Sequence, residues 1–220
     1  MAIDNSKESN SLVLNGEGTG LFDKDDMFMN IVFKNIREIN DTQGSITYIG
    51  SYKFENCKAL KNVNLPQVTD VNDAVFKGCS NLETVNIPQL KSAGLGMFSE
   101  CVKLKHFRGD NFTNTEGYTF TGCTNLSWVY TPMVSRWGAL AFASCTNLKS
   151  VILGGSSIVG IANNTFDSCA ITVSSYLGYY GSVYVPASLI SSYAVSSYWS
   201  SISERLAPIE DLDLEVLNDN

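Results

Sequence analysis

The chain has 220 residues, and its 15 basic and 22 acidic side chains give a net charge of −7 at pH 7. This charge disfavours binding to the phosphates of nucleic acids and to anionic membrane surfaces. No apolar run approaches the roughly 20 residues of a membrane-spanning helix, so neither nucleic-acid binding nor membrane insertion is expected.

The N-terminal part of the chain divides into a polar leader and a more apolar segment. Residues 1–20 are rich in Ser, Asn, Gly and charge, which predicts a flexible leader. Their apolar run is too short for a signal peptide, so a secretory signal is either absent or already removed. Residues 21–45 predict an N-terminal cap. The end of this cap, residues 33–36, matches residues 60–63 and is interpreted as a degenerate strand of the repeat that follows.

Residues 46–171 repeat with a period of 22 residues. Each unit follows the pattern F-x-x-C-x-x-L-x-x-V-x-L-P, and a period of that size is typical of solenoids, in which each coil contacts only its neighbours. We therefore predict a repeat solenoid, a leucine-rich-repeat-like right-handed coil with short parallel strands, capped at both ends. Its interior ladders are Phe54, Phe76, Phe98, Phe120 and Phe142, then Cys57, Cys79, Cys101, Cys123 and Cys145, then Leu60, Leu82, Leu104, Leu126 and Leu148.

All six cysteines occupy one position of the repeat, with Cys169 as the last. Side chains at equivalent positions of adjacent coils point the same way, which gives poor torsion angles for a disulfide. Buried free thiols are therefore expected. Zinc is not expected, because no CxxC pair occurs and His106 is the only histidine. No cofactor or metal is expected.

The regular pattern is interrupted twice and then changes near the C-terminus. Gly109 and Asp110 replace an inward leucine and a proline, and extra residues around Gly154 and Gly155 lengthen the interval from Phe142 to Phe166 to 24 residues. Both interruptions predict loosened, exposed turns. Residues 172–210 predict the last strand and a C-terminal helical cap, with a short helix at residues 187–195. Residues 211–220 predict an acidic, solvated tail.

The repeat unit resembles the BspA-like class of bacterial leucine-rich repeats over roughly residues 33–209. The resemblance implies a surface protein of a host-associated bacterium that attaches to host matrix, mucosal glycoprotein or other cells. Related repeats also occur in phage tail and tail-fibre proteins.

Catalytic motifs are sparse. A Ser-His-Asp or Cys-His arrangement could be built only on His106, and no G-x-S-x-G elbow or Walker-type loop occurs. Glu100 and Asp110 are candidates for a carboxylate pair, but acidic side chains are common on any surface. An enzyme is therefore not expected.

Two groups of residues are candidates for recognition. The first lies on two adjacent strands, on the side that faces away from the core, where aromatic and arginine side chains replace small polar ones and resemble a binding hot spot. It comprises His106, Arg108, Trp128 and Tyr130. The alternative is that its aromatic residues only pack over the neighbouring coil. The second group is a tyrosine-rich loop that either binds a ligand or packs against the cap. It comprises Tyr176, Tyr179, Tyr180 and Tyr184.

The sequence favours a non-enzymatic extracellular module for recognition or adhesion. Its expected partner is a host or cell-surface protein or glycoprotein, bound through a protein or glycan surface. One alternative is a phage tail or tail-fibre component that attaches to a host, located in the virion. Another is a structural spacer, for which the uniform ladders would suffice.

Overall fold

The structure of the protein is a computed structural model, and it describes residues 2–3, 11–13, 35–172 and 181–212. Most of the predicted leader, much of the predicted N-terminal cap and most of the predicted acidic tail lie outside the described residues. So do Tyr176, Tyr179 and Tyr180.

Short strands stacked in parallel form the body of the molecule. In chain order they are β1 (Ala2–Ile3), β2 (Ser11–Val13), β3 (Glu38–Asn40), β4 (Tyr48–Ile49), β5 (Asn62–Asn64), β6 (Asp70–Val71), β7 (Thr84–Asn86), β8 (Ser92–Ala93), β9 (His106–Arg108), β10 (Asn114–Thr115), β11 (Trp128–Tyr130), β12 (Ser150–Ile152), β13 (Ser182–Val185) and β14 (Leu206–Pro208). They assemble into three sheets, in the orders β1-β2-β3-β5-β7, β9-β11-β12-β13-β14 and β10-β8-β6-β4, and β1 with β2 is an antiparallel pair.

The predicted solenoid with its interior ladders is confirmed. Equivalent residues of successive units lie opposite each other, as Val63 does with Val85 and Val129 with Val151. Successive phenylalanine rings from Phe54 to Phe142 are stacked with centroids 5.6 Å apart and planes within 13° of parallel. Like residues therefore pack on like residues along the axis, and each coil completes the core of the next.

The cysteines add hydrogen bonds to this core as well as packing. The thiol of Cys101 donates to the carbonyl oxygen of Phe76 in the preceding unit at 3.1 Å, and that of Cys123 donates to Phe98 in the same way. All six cysteines are buried and none is bridged. Cysteine thus supplies a small apolar side chain that also satisfies a buried carbonyl group.

Native thiols should resist alkylation. Burial raises the pKa of Cys169 to about 12 and raises the pKa of Cys101 and Cys123 well above its usual range, so reactive thiolate is scarce. We expect mass spectrometry to find no rapid modification of the native protein and six modified cysteines after unfolding in denaturant. Rapid modification of Cys101 in the native state would contradict the inward assignment.

In the five units that contain Phe54, Phe76, Phe98, Phe120 and Phe142, two backbone positions adopt the left-handed conformation that bends the chain around the F-x-x-C segment. Non-glycine residues accept this conformation in several units, including Tyr118 with φ 62° and Glu100 with φ 63°. Such residues cost free energy. Hydrogen bonds between coils hold the segment in place, as between Phe98 N and the carbonyl oxygen of Thr119 at 2.9 Å.

The first strands differ from the sequence prediction. Residues 2–3 and 11–13, within the predicted leader, form β1 and β2, and β2 pairs in parallel with β3. The degenerate strand predicted at residues 33–36 was placed wrongly, because Ile39 lies opposite Val63. Hydrogen bonds to the next strand fix this register: the amide of Asn64 donates to Asn40 at 2.8 Å, and Asp41 N donates to the carbonyl oxygen of Asn64 at 2.9 Å. The buried carboxylate of Asp41 accepts from Ile46 N at 2.8 Å within its own unit.

The exposed turn predicted at Gly109 is also wrong. Gly109 is buried, and a Cβ atom there would lie 2.9 Å from the ring of Phe107. Phe107 occupies the position that valine holds in neighbouring units, so its larger ring fills the space that the missing leucine leaves. The strand β9, which contains Phe107, is not paired as a ladder with the preceding strand β7.

The C-terminal segment contains the predicted short helix. Residues Ala187–Leu189 form a 3-10 turn that continues as an α-helix, α1 (Ile190–Val195), and two further 3-10 segments, Trp199–Arg205 and Ile209–Asp211, flank β14. Tyr193 and Trp199 are buried against the core. The Tyr193 hydroxyl accepts from Val159 N at 2.9 Å, and Trp199 Nε1 donates to Val159 O at 2.7 Å.

Candidate functional site

The first candidate group lies on β9 and β11, which pair in parallel. Phe107 and Val129 face the core, so the residues on either side of them lie on the opposite face of the sheet. In this register His106 lies beside Trp128, and Arg108 lies beside Tyr130. We call these four residues the aromatic strand face.

His106 and Trp128 form the first pair of this face. Their rings are stacked with centroids 4.8 Å apart and planes within 9° of parallel. Trp128 is only 5% exposed, although it does not belong to the main core cluster. The expectation that Trp128 is an exposed anchor is therefore wrong, and the alternative that it packs over the neighbouring strand describes it better.

Arg108 and Tyr130 form the second pair, which is open to solvent. The guanidinium carbon of Arg108 lies 4.9 Å from the centre of the Tyr130 ring, a cation–π arrangement. Arg108 Nε and Nη2 each donate to the Asp110 carboxylate at 2.9 Å. Arginine has five N–H donors, so the two hydrogen bonds to Asp110 leave other N–H groups of Arg108 available to a partner. The Arg108 side chain is 54% exposed.

The earlier units carry a different kind of surface at the same positions. The amide of Asn86 donates to Asn64 at 2.7 Å, Asn64 donates to Asn40, and the hydroxyl of Thr84 donates to Asn62 at 2.7 Å. These side chains satisfy one another along the solenoid. The change from self-bonded amides to cationic and aromatic groups occurs between β7 and β9.

A groove of about 450 Å³ opens beside the aromatic strand face. Lys105, Ser127 and Lys149 occupy equivalent positions on its wall, because Ser127 N donates to Lys105 O at 2.7 Å and Lys149 N donates to Ser127 O at 2.8 Å. We call it the lysine groove. Its lining consists of Lys105, His106, Asn125, Ser127, Trp128, Lys149 and Ser150.

Sequence reasoning missed the two lysines because it considered only residues on the strands. Lys105 and Lys149 are separated by two 22-residue periods, and this spacing was the available signal. Burial lowers the pKa of His106, and the adjacent charge of Lys105 lowers it further. His106 is therefore neutral at pH 7.

The second candidate group is described only at Tyr184. This residue is half-buried on β13, where it pairs with Ile152 on one side and Ala207 on the other. Tyr176, Tyr179 and Tyr180 lie outside the described residues, so a recognition role for the tyrosine loop stays a prediction.

Within the described ranges, no three metal-binding side chains gather into a possible metal site. No helix in those ranges has the length and apolarity of a membrane span.

Comparison with known proteins identifies the repeat. The BspA type leucine-rich repeat region matches residues 47–173 in six copies. The chain belongs to this family. BspA-type repeat proteins are often surface antigens or adhesins and are generally non-enzymatic. No individually curated protein sequence matches the chain.

Solved structures that resemble the chain have low sequence identity to it. The pneumococcal vaccine antigen PcpA is similar with a TM-score of 0.54 and 17% identity, over 79% of this chain and 40% of that one. A leucine-rich cell surface protein from Faecalibacterium prausnitzii has a TM-score of 0.41 and 20% identity, over 68% of this chain and 54% of its own. The T. pallidum leucine-rich repeat protein TpLRR has a TM-score of 0.42 and 18% identity, over 80% and 58%. The BspA-type chain thus spans between 40% and 58% of these three proteins.

Proposed function

We propose that this BspA-type protein is a non-enzymatic extracellular recognition module that binds a protein or glycan on a host or cell surface. Membership of a family rich in surface antigens and adhesins supports an extracellular location. The observation that carries the proposal is the change of surface at the aromatic strand face. There an exposed arginine stacked on tyrosine replaces polar side chains that are hydrogen-bonded to one another.

The Arg108–Tyr130 pair has the properties of a binding anchor. The Arg108 guanidinium packs over the Tyr130 ring, and two hydrogen bonds to Asp110 fix the orientation of its plane. A group held in this way loses little side-chain entropy when a partner binds. Arginine and tyrosine are also among the residues that dominate measured binding energies.

Arg108→Ala/Tyr130→Ala should lower adhesion to cultured cells, mucin or matrix proteins by about tenfold or more, because it removes both anchors. Both side chains reach solvent, so circular dichroism should show an unchanged fold. The matched control is Leu95→Ala/Tyr118→Ala, which removes two exposed apolar side chains elsewhere on the solenoid.

A third variant, Tyr179→Ala/Tyr180→Ala, separates the two candidate groups. If it alone loses adhesion, recognition lies in the tyrosine loop and the aromatic strand face is not the binding surface. Normal adhesion of all three variants would favour the structural spacer. The phage-tail alternative has no support in the comparisons, in which the named structures are bacterial surface and repeat proteins.

A further inference from the structure

The lysine groove offers positive charge on a protein that is acidic overall. Lys105 and Lys149 are both exposed, and they lie two coils apart at equivalent positions. Adjacent parallel strands are about 4.8 Å apart, so the backbones of the two lysines are separated by roughly 10 Å. Among the described residues, neither lysine forms an ion pair. Both ammonium groups are therefore available to a negatively charged ligand.

The rest of the groove is polar rather than apolar. Asn125 contributes an amide, and Ser127, whose hydroxyl donates to the carbonyl oxygen of Lys105 at 2.8 Å, contributes a hydroxyl oxygen that can accept from a ligand. Trp128 is too deeply buried to offer a ring face to a ligand. The centre of a protein-binding site is depleted in lysine and enriched in exposed aromatic anchors. This groove has the opposite composition. Hydroxyl and amide groups beside two ammonium groups match a ligand that carries many hydroxyls and a few anionic groups.

We propose that the lysine groove binds an acidic oligosaccharide, with its carboxylate or sulfate groups between Lys105 and Lys149 and its hydroxyls on Ser127 and Asn125. The proposal rests on the proposed function, because it specifies the ligand class on one side of the same surface. The net charge of −7 repels such a ligand elsewhere. Binding thus depends on the local pair of lysines and should weaken as salt is raised.

The NMR signals of His106 report independently on whether a ligand is bound in the lysine groove. It is the only histidine of the chain, so its imidazole gives one set of NMR signals. Lys105 and Lys149 are the charged groups of the groove, and Arg108, which is paired with Asp110, lies on the same face of β9 as His106. A bound anion favours the protonated imidazole and should raise the pKa of His106 from its lowered value.

The experiment measures binding of the full chain to four defined probes by calorimetry. They are a heparin-derived hexasaccharide, a hyaluronan hexasaccharide that carries carboxylates only, neutral maltohexaose and a hexaglutamate peptide. We expect both acidic saccharides to bind and to raise the pKa of His106, and maltohexaose not to bind. Lys105→Gln/Lys149→Gln should weaken saccharide binding by about tenfold or more, since charge-assisted hydrogen bonds are lost.

The matched control is Lys58→Gln/Lys61→Gln, which changes the net charge equally on two exposed lysines of an earlier unit and should leave binding unchanged. Equal loss in both double variants would overturn the proposal, because binding would then follow net charge alone. Tighter binding of hexaglutamate than of either saccharide would identify an acidic protein segment as the ligand instead. Absence of saccharide binding together with loss of adhesion in Arg108→Ala/Tyr130→Ala would remove this inference and leave the proposed function standing.

Discussion

Replacing Phe98 by alanine should lower the free energy of unfolding by about 3–5 kcal/mol, the usual cost of emptying a large buried aromatic site. Phe98 is fully buried, and its ring centroid lies 5.6 Å from those of Phe76, Phe120 and Phe107. These neighbours belong to a continuous ladder on both sides, so they have little freedom to collapse into the cavity. Denaturant unfolding followed by circular dichroism measures the loss.

The control for this variant is Met133→Ala. Met133 is 59% exposed, and surface substitutions of this kind usually change stability by about 0.5 kcal/mol or less. In a solenoid each coil is stabilised by its neighbours, so the Phe98→Ala substitution should also lower the local stability of the adjacent units. Hydrogen exchange should therefore accelerate around Phe76 and Phe120. Equal stability of the Phe98→Ala and Met133→Ala variants would show that the ladder contributes little.

The sequence was sufficient to predict the interior of the solenoid. A strict period places each residue beside its equivalents in the neighbouring coils, and inward side chains repeat because they must fill the same space. Cys79, Cys101 and Cys123 are buried as this reasoning requires. Their hydrogen bonds to phenylalanine carbonyl groups were not predicted, because a sequence pattern does not show which backbone atom lies within reach of a thiol.

The prediction failed where the period itself failed. The first strand was placed at residues 33–36 on local similarity, whereas Asn40 and Asp41 fix Ile39 opposite Val63. Gly109 was expected to mark an exposed turn, since a leucine was missing. The larger ring of Phe107, two residues earlier, compensates for the missing leucine side chain, so the core stays filled. The first error came from placing a strand on local similarity alone, and the second from judging one position without the side chain that compensates for it.

The face of a strand can be read from a repeat, but the burial of a residue on that face cannot. Alternation placed His106, Arg108, Trp128 and Tyr130 together on one side of the sheet, and the structure pairs them there. It did not show that Trp128 is covered while Arg108 is exposed. Burial on an outer face depends on ring size and on neighbouring side chains, and a repeat pattern carries neither.

Trp128→Ala should therefore lower the free energy of unfolding by about 3 kcal/mol, rather than leave the fold intact as an exposed anchor would. The indole is buried and stacked 4.8 Å from the His106 ring, so its removal takes away part of the wall of the lysine groove and the ring against which His106 packs. Trp128→Phe keeps an aromatic ring beside His106 and should recover most of the loss.

Proton NMR of His106 separates this supporting role from a direct contact with a ligand. The Trp128 ring current should shift the imidazole protons of the native protein, and the shift should vanish in Trp128→Ala even without a ligand. Because the same substitution exposes the imidazole to water, the pKa of His106 should also rise toward its ordinary value. An unchanged stability with an unchanged His106 spectrum would mean that Trp128 lies free of its neighbours. It would then again be a candidate for the exposed anchor that the sequence suggested.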